Sequence, residues 1–90
     1  MNIEDVFSSR ARIKILKIIA RLGAVNISDI ARRTNLNYIK TNAHLKLLEA
    51  EGIIQQRTYG RIRIYRLNEN SSKAKAVQNL IEAWEEVNKP

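Results

Sequence analysis

The chain has 90 residues, enough for one domain with a modest core, and its 44% hydrophobic and 28% charged residues make a folded chain rather than a disordered tail. It has no cysteine and one histidine, His44, which excludes disulfides, thiolate metal sites, cysteine nucleophiles and a multi-histidine metal site within one chain. The net charge of +7 is unevenly placed: residues 10–67 carry thirteen Lys/Arg against Asp29, Glu49 and Glu51, and the two ends are acidic or neutral. That middle region fits a polyanion, or a solvated basic face without a partner.

The first periodic segment runs from Ser9 to Leu22. Ser8 or Ser9 can cap its start, and Gly23 stands just past its end. Its apolar residues, from Ala11 and Ile13 to Leu22, cover an arc of roughly 220° at 100° per residue, wider than an ordinary surface helix needs. Arg12 is the one charge inside that arc, and the helix is expected to be covered on two sides. Asn26-Ile27-Ser28-Asp29 has the form of a capping box opening a short second helix, with Ile27, Ile30 and Ala31 facing inward. Asn35-Leu36-Asn37 reads as a turn with Leu36 as a buried plug, and Asn37 caps a third helix that runs to Glu51 and stops at Gly52.

On that third helix Thr41, His44, Leu45, Leu47 and Leu48 form a core face. Tyr38, Ile39, Asn42, Ala43 and Lys46 form a mixed face that suits a major groove: Asn42 for a bidentate pair with adenine, Ile39 and Ala43 for thymine methyls, Lys46 and Lys40 for guanine edges or phosphates. A solvated helix face has the same pattern. His44, at the edge of the core face, is expected to hold the turn or the hairpin base and not a metal. The period then changes. Residues 53–59 and 61–67 read as a β-hairpin with its tip at Tyr59-Gly60-Arg61. Arg57, Tyr59, Arg61, Arg63, Tyr65 and Arg66 make this hairpin basic and aromatic, suited to phosphates or an adjacent minor groove. A charged edge against sheet aggregation accounts for one or two of these arginines. Asn68 to Ser72 is a polar turn and cap, and a last helix spans 72–87.

The run Ile30-Ala31-Arg32-Arg33-Thr34-Asn35-Leu36, then His44-Leu45 through Gly52-Ile53-Ile54, then Arg57, Gly60-Arg61 and Tyr65-Arg66-Leu67, resembles the ArsR-like winged-helix repressors over residues 9–67. The resemblance implies a mostly helical α+β winged helix-turn-helix: three helices, a two-stranded β wing and a C-terminal dimerisation helix. It implies a homodimeric repressor on a pseudo-palindromic operator of double-stranded DNA. By position the DNA-contacting residues would be Asn37, Tyr38, Ile39, Lys40, Asn42, Ala43 and Lys46, with Arg57, Tyr59, Arg61 and Arg63 on the wing. Ala43 replaces the polar or basic residue common there, so operator preference should differ. Metal-sensing members use cysteines or His/Asp/Glu sets on the last helix. This chain has no cysteine and no histidine there, so no metal or cofactor is expected, and no other effector signature is present.

Val77, Leu80, Ile81, Trp84 and Val87 follow helical spacing on the last helix. One small core does not readily cover both this stripe and the wide arc of the first helix. A two-fold interface of Ile13, Leu16, Val77, Leu80, Ile81, Trp84 and Val87 resolves both excesses. No apolar run approaches the roughly 20 residues of a membrane span, and Met1 to Asp5 lacks the basic start of a signal peptide. The expectation is thus one domain over 1–90, cytoplasmic and nucleoid-associated, not an enzyme: a homodimeric DNA-binding regulator. The alternatives are a protein-interaction adaptor and a sequence-nonspecific chromatin protein. The abundance of Ile, Lys and Arg hints at an archaeal source.

Overall fold

A computed structural model describes residues 1–88, so the last two residues of the expected 1–90 domain lie outside the described residues. The elements are α1 (Ile3–Phe7), α2 (Arg10–Leu22), β1 (Ala24–Asn26), α3 (Ile27–Thr34), α4 (Tyr38–Ala50), β2 (Ile54–Tyr59), β3 (Ile62–Leu67) and α5 (Ser72–Val87). The mostly helical α+β architecture read from the sequence is present. Two elements were not anticipated, α1 and β1.

Local side-chain chemistry accounts for most helix boundaries. The side chains of Ser9, Asn26, Asn37 and Ser71 each accept from the backbone N–H three residues on, capping α2, α3, α4 and α5. The capping box at α3 forms only in half, because the Asp29 carboxylate turns to Arg32 and Arg33 instead. The cap of α5 is Ser71, at the edge of the expected 72–87 span. α3 ends in a Schellman motif: Asn35 adopts φ 58° and ψ 37°, its N–H donates to the Arg32 carbonyl, and Leu36 N–H donates to the Ala31 carbonyl. Leu36 is half-buried under that turn. α4 ends the same way at Gly52 (φ 74°), with Ile53 N–H donating to the Leu48 carbonyl and its side chain buried. This left-handed residue is why a glycine precedes the two isoleucines that lead into the sheet.

The sheet is antiparallel in the order β1-β3-β2. It has three strands and not the two expected of the wing, because Ala24–Asn26 pairs with Arg66, Tyr65 and Ile64. Tyr59 pairs with Ile62 across a two-residue tip, Gly60-Arg61. Gly60 has φ 61°, and Arg61 is not among the residues of positive φ, which is the pattern of a type II′ turn. Ile15, Leu16, Ile19, Ile30, Leu45, Leu48, Ile54 and the central-strand Tyr65 fill one core, which Val25 and Val77 extend.

Arg12, the charge inside the apolar arc of α2, has a structural task. Its Nε donates to the Val6 carbonyl and its Nη2 to the Asp5 carbonyl, both at 2.8 Å, and its Nη1 lies 3.2 Å from His44 Nδ1. The guanidinium thus donates to two carbonyls at the end of α1, that of Asp5 also accepting from the Ser8 hydroxyl, and ties that helix to α4. His44 accordingly serves the α1–α2 corner, not the turn or the hairpin base. A guanidinium has no acceptor, so Nδ1 is the unprotonated nitrogen of a neutral ring. Burial, and then the Arg12 charge, hold its pKa below the ordinary histidine range.

Candidate nucleic-acid interface

Thr41, Leu45 and Leu48 anchor α4 in the core, and this fixes which side of the helix is open. Tyr38, Ile39, Lys40, Ala43 and Lys46 are exposed, with Ile39 79% accessible at the first turn. Asn42 is half-buried. Asn37 caps the helix with Oδ1, which accepts from Lys40 N–H at 2.8 Å, and its amide nitrogen stays free to donate to a ligand. Of the five residues of the mixed face read from the sequence, four side chains are open and Asn42 is held against the protein.

Strand register divides the wing. Partners in a ladder share a face, so Arg57, Tyr59, Ile62, Ile64 and Arg66 lie on the outer face, while Thr58, Arg63 and Tyr65 share the face that carries Ile54 to the core. Arg57, Tyr59, Arg61 and Arg66 are exposed. Arg63 differs from the other wing arginines. Its Nη1 donates to Tyr38 Oη and its Nη2 to Asn42 Oδ1, each at 2.8 Å, and Nη2 also donates to the Tyr65 hydroxyl. Its Cζ lies 5.6 Å from the centroid of the Tyr65 ring. Burial pushes the Tyr65 phenol up, so it stays a neutral partner. Arg63 is therefore a strut between wing and helix, which periodicity could not indicate because its two helix partners lie more than twenty positions away in sequence.

Among the described residues, Lys17, Lys73, Arg32 and Arg33 have carboxylate partners, whereas Lys40, Lys46, Arg57, Arg61 and Arg66 have none. Of the three carboxylates in residues 10–67, Glu49 is exposed on α4 without an ion pair among the described residues, while Asp29 and Glu51 are engaged elsewhere. Asp29 is held below the usual carboxylate range by Arg33 and then Arg32, and Glu51 by the N-terminal ammonium and Lys73. Arg66, outside the sequence-derived contact set, joins the outer face through the parity of β3. No group of three or more His, Cys, Asp or Glu side chains among the described residues is placed to hold a metal. No described helix is long and apolar enough to cross a membrane.

The expected interface residues split into two groups. Leu16 is 1% and Val77 7% accessible, both in the chain's own core, so they are not surface residues. Ile13, Leu80, Trp84 and Val87 are exposed, Trp84 at 67%, and Ile81 is half-buried. Ile13, Leu80, Ile81 and Trp84 line an apolar groove of about 400 Å³ between α2 and α5, closed at one side by Lys17 and Glu85, whose charged atoms are 3.3 Å apart. The wide arc of α2 and the stripe of α5 thus meet in one open groove.

The sequence profile of a family described as winged helix-turn-helix DNA-binding matches residues 9–55. No curated protein matches the chain. Among solved structures, reduced HlyU from Vibrio cholerae N16961 is 19% identical with a TM-score of 0.79, covering 96% of this chain and 84% of that one. The transcriptional repressor BigR from Xylella fastidiosa is 19% identical with a TM-score of 0.80, covering 96% and 83%. The homodimeric winged helix-turn-helix DNA-binding domain (fragment 1–100) of Mb0332 from Mycobacterium bovis, titled a possible ArsR-family transcriptional regulator, is 21% identical with a TM-score of 0.74, covering 96% and 77%. At these identities the likeness is one of fold.

Proposed function

The chain belongs to the winged helix-turn-helix DNA-binding family, and we propose that it is a homodimeric transcription regulator, acting as a repressor and nucleoid-associated. In this reading α4 lies in the major groove and the wing follows the backbone or enters the adjacent minor groove. The observation that carries it is the open side of α4 and the outer wing, whose cations Lys40, Lys46, Arg57, Arg61 and Arg66 have no carboxylate partner among the described residues. Such an array releases counterions from a duplex, which gives affinity. Ile39 and Ala43 add apolar contacts for base edges, which give preference.

The homodimer is supported by the groove around Trp84. A second copy bringing the same groove across a two-fold axis would bury Trp84, Leu80 and Ile13 and set two copies of α4 roughly 34 Å apart, one DNA turn. Trp84 is the only tryptophan, so its emission reports the event: it should shift to the blue as protein concentration rises through the dimer range. Replacing Trp84 by Ala should weaken dimerisation by about 30-fold or more, the effect of losing a central aromatic anchor.

The decisive experiment is selection of bound duplexes from a random pool, with a size measurement of the complex and a salt series for Arg61→Ala. A two-fold symmetric selected site, a complex holding two chains, and a salt slope lowered by about one unit for Arg61→Ala support the reading. Uniform recovery of the pool would make the protein a sequence-nonspecific chromatin component. Absence of duplex binding at low salt would favour the protein-interaction adaptor.

A further inference from the structure

We infer that Arg63 determines the base preference of α4 without itself reading a base, by fixing Asn42 and Tyr38 at the centre of the reading face so that donors predominate in what they offer. This rests on the DNA-binding reading above. The sequence alone suggests that Asn42 reads adenine through both ends of its amide, Oδ1 accepting from the base and Nδ2 donating to it. The structure gives Oδ1 another occupant, since Arg63 Nη2 donates to it at 2.8 Å. A guanidinium is donor-only, so the amide orientation is fixed by chemistry: Oδ1 faces Arg63 and Nδ2 faces outward. The same logic holds for Tyr38, whose Oη accepts from Arg63 Nη1 and keeps its own O–H to donate.

Arg63 is itself fixed. It sits on the core-side face of β3 beside Tyr65, donates to the Tyr65 hydroxyl, and lies over that ring, which is fully buried. A strand held by pairing on both sides thus sets the rotamers of two side chains on the reading helix. Arg63 takes one lone pair of Asn42 Oδ1 and one of Tyr38 Oη, so the two Asn42 amide N–H groups and the Tyr38 O–H are the larger share of what this pair can offer a base. Such an array complements an edge bearing two acceptors. In the major groove that edge is guanine, with N7 and O6; adenine shows one acceptor and one donor. Position 42 in this chain therefore selects guanine over adenine, and Arg63 is a positioning residue for that choice.

The test is pool selection followed by salt-dependent binding for the wild-type protein and for Asn42→Ala, Arg63→Ala and Arg63→Gln, with the fold of each variant checked by circular dichroism. Asn42→Ala identifies the base pair in question as the one whose preference relaxes. At that pair the wild type should favour guanine by about tenfold or more, the worth of one good base contact. Arg63→Ala should move the preference to adenine, because Oδ1 is released, and should leave the salt slope unchanged. If Arg63→Ala does not fold, Arg63→Gln carries the test: it is neutral and cannot hold Tyr38 and Asn42 together, so it should show the same direction of change. Adenine selected by the wild type at that pair overturns the inference. So does an unchanged preference in a folded Arg63 variant, with or without a salt slope lowered by about one unit; with it, Arg63 is a phosphate contact. Failure of the wild type to bind any duplex sinks instead the DNA-binding reading on which this one rests.

Discussion

Replacing Arg12 by Met keeps an unbranched apolar stem and removes the fork. Three bonds are lost: to the carbonyls of Val6 and Asp5, and to His44 Nδ1. A hydrogen bond involving a charged group is worth about 1.5–3 kcal/mol when shielded and less in water. The Asp5 bond is exposed and the other two are part-buried. Desolvation of the guanidinium in the native protein offsets part of the gain. The net loss expected for Arg12→Met is about 2–3 kcal/mol, which for a domain of this size lowers Tm by roughly 10–20 °C. Arg12→Lys keeps the charge but reaches fewer of the three acceptors, so it should fall between the two. The assay is thermal unfolding at one fixed protein concentration, with hydrogen exchange of the α1 amides as a local readout, since α1 is a single short turn held by Val6 and this fork. A Tm for Arg12→Met within about 3 °C of wild type would refute the reasoning, as would full recovery by Lys.

Two further outcomes follow from the same contacts. Burial and the Arg12 charge lower the pKa of His44 from its ordinary 6.5, so on acidification the unfolded chain takes up the proton first. This group's contribution is intact above the ordinary histidine range and is lost as pH falls below it toward the lowered native value; His44→Gln should flatten the stability–pH curve in that window and nowhere else, as urea titrations at several pH values would read. Asn37→Ala removes the cap of α4, so it should cost about 1 kcal/mol of stability and weaken binding to all duplexes alike, whereas an altered base preference in the selected pool would show that Asn37 contacts a base.

Much of this protein is set by residues close together in sequence. Ser9, Asn26 and Asn37 cap helices because a side-chain oxygen meets a backbone N–H three residues on, and Gly52 stops α4 because the next bond needs a left-handed residue. The two faces of α4 follow from its 3.6-residue period, and the hairpin from alternation about Gly60. These features involve chain separations of a few residues, so one sequence suffices to read them. α1 and β1 are too short for any period to show: α1 exists because Arg12 caps its end and Val6 enters the core, and β1 because β3 offers it a ladder. Whether an apolar residue on a wide arc becomes core or surface was likewise decided in three dimensions, by which element landed on it. That choice put Leu16 and Val77 inside and left Ile13, Leu80 and Trp84 in an open groove. The same holds for the candidate interface. Sequence marked Asn42 and Arg63 as separate contacts, one on a helix and one on a strand. Only the packing of β3 against α4 joined them, and in doing so it changed what Asn42 has left to offer a base.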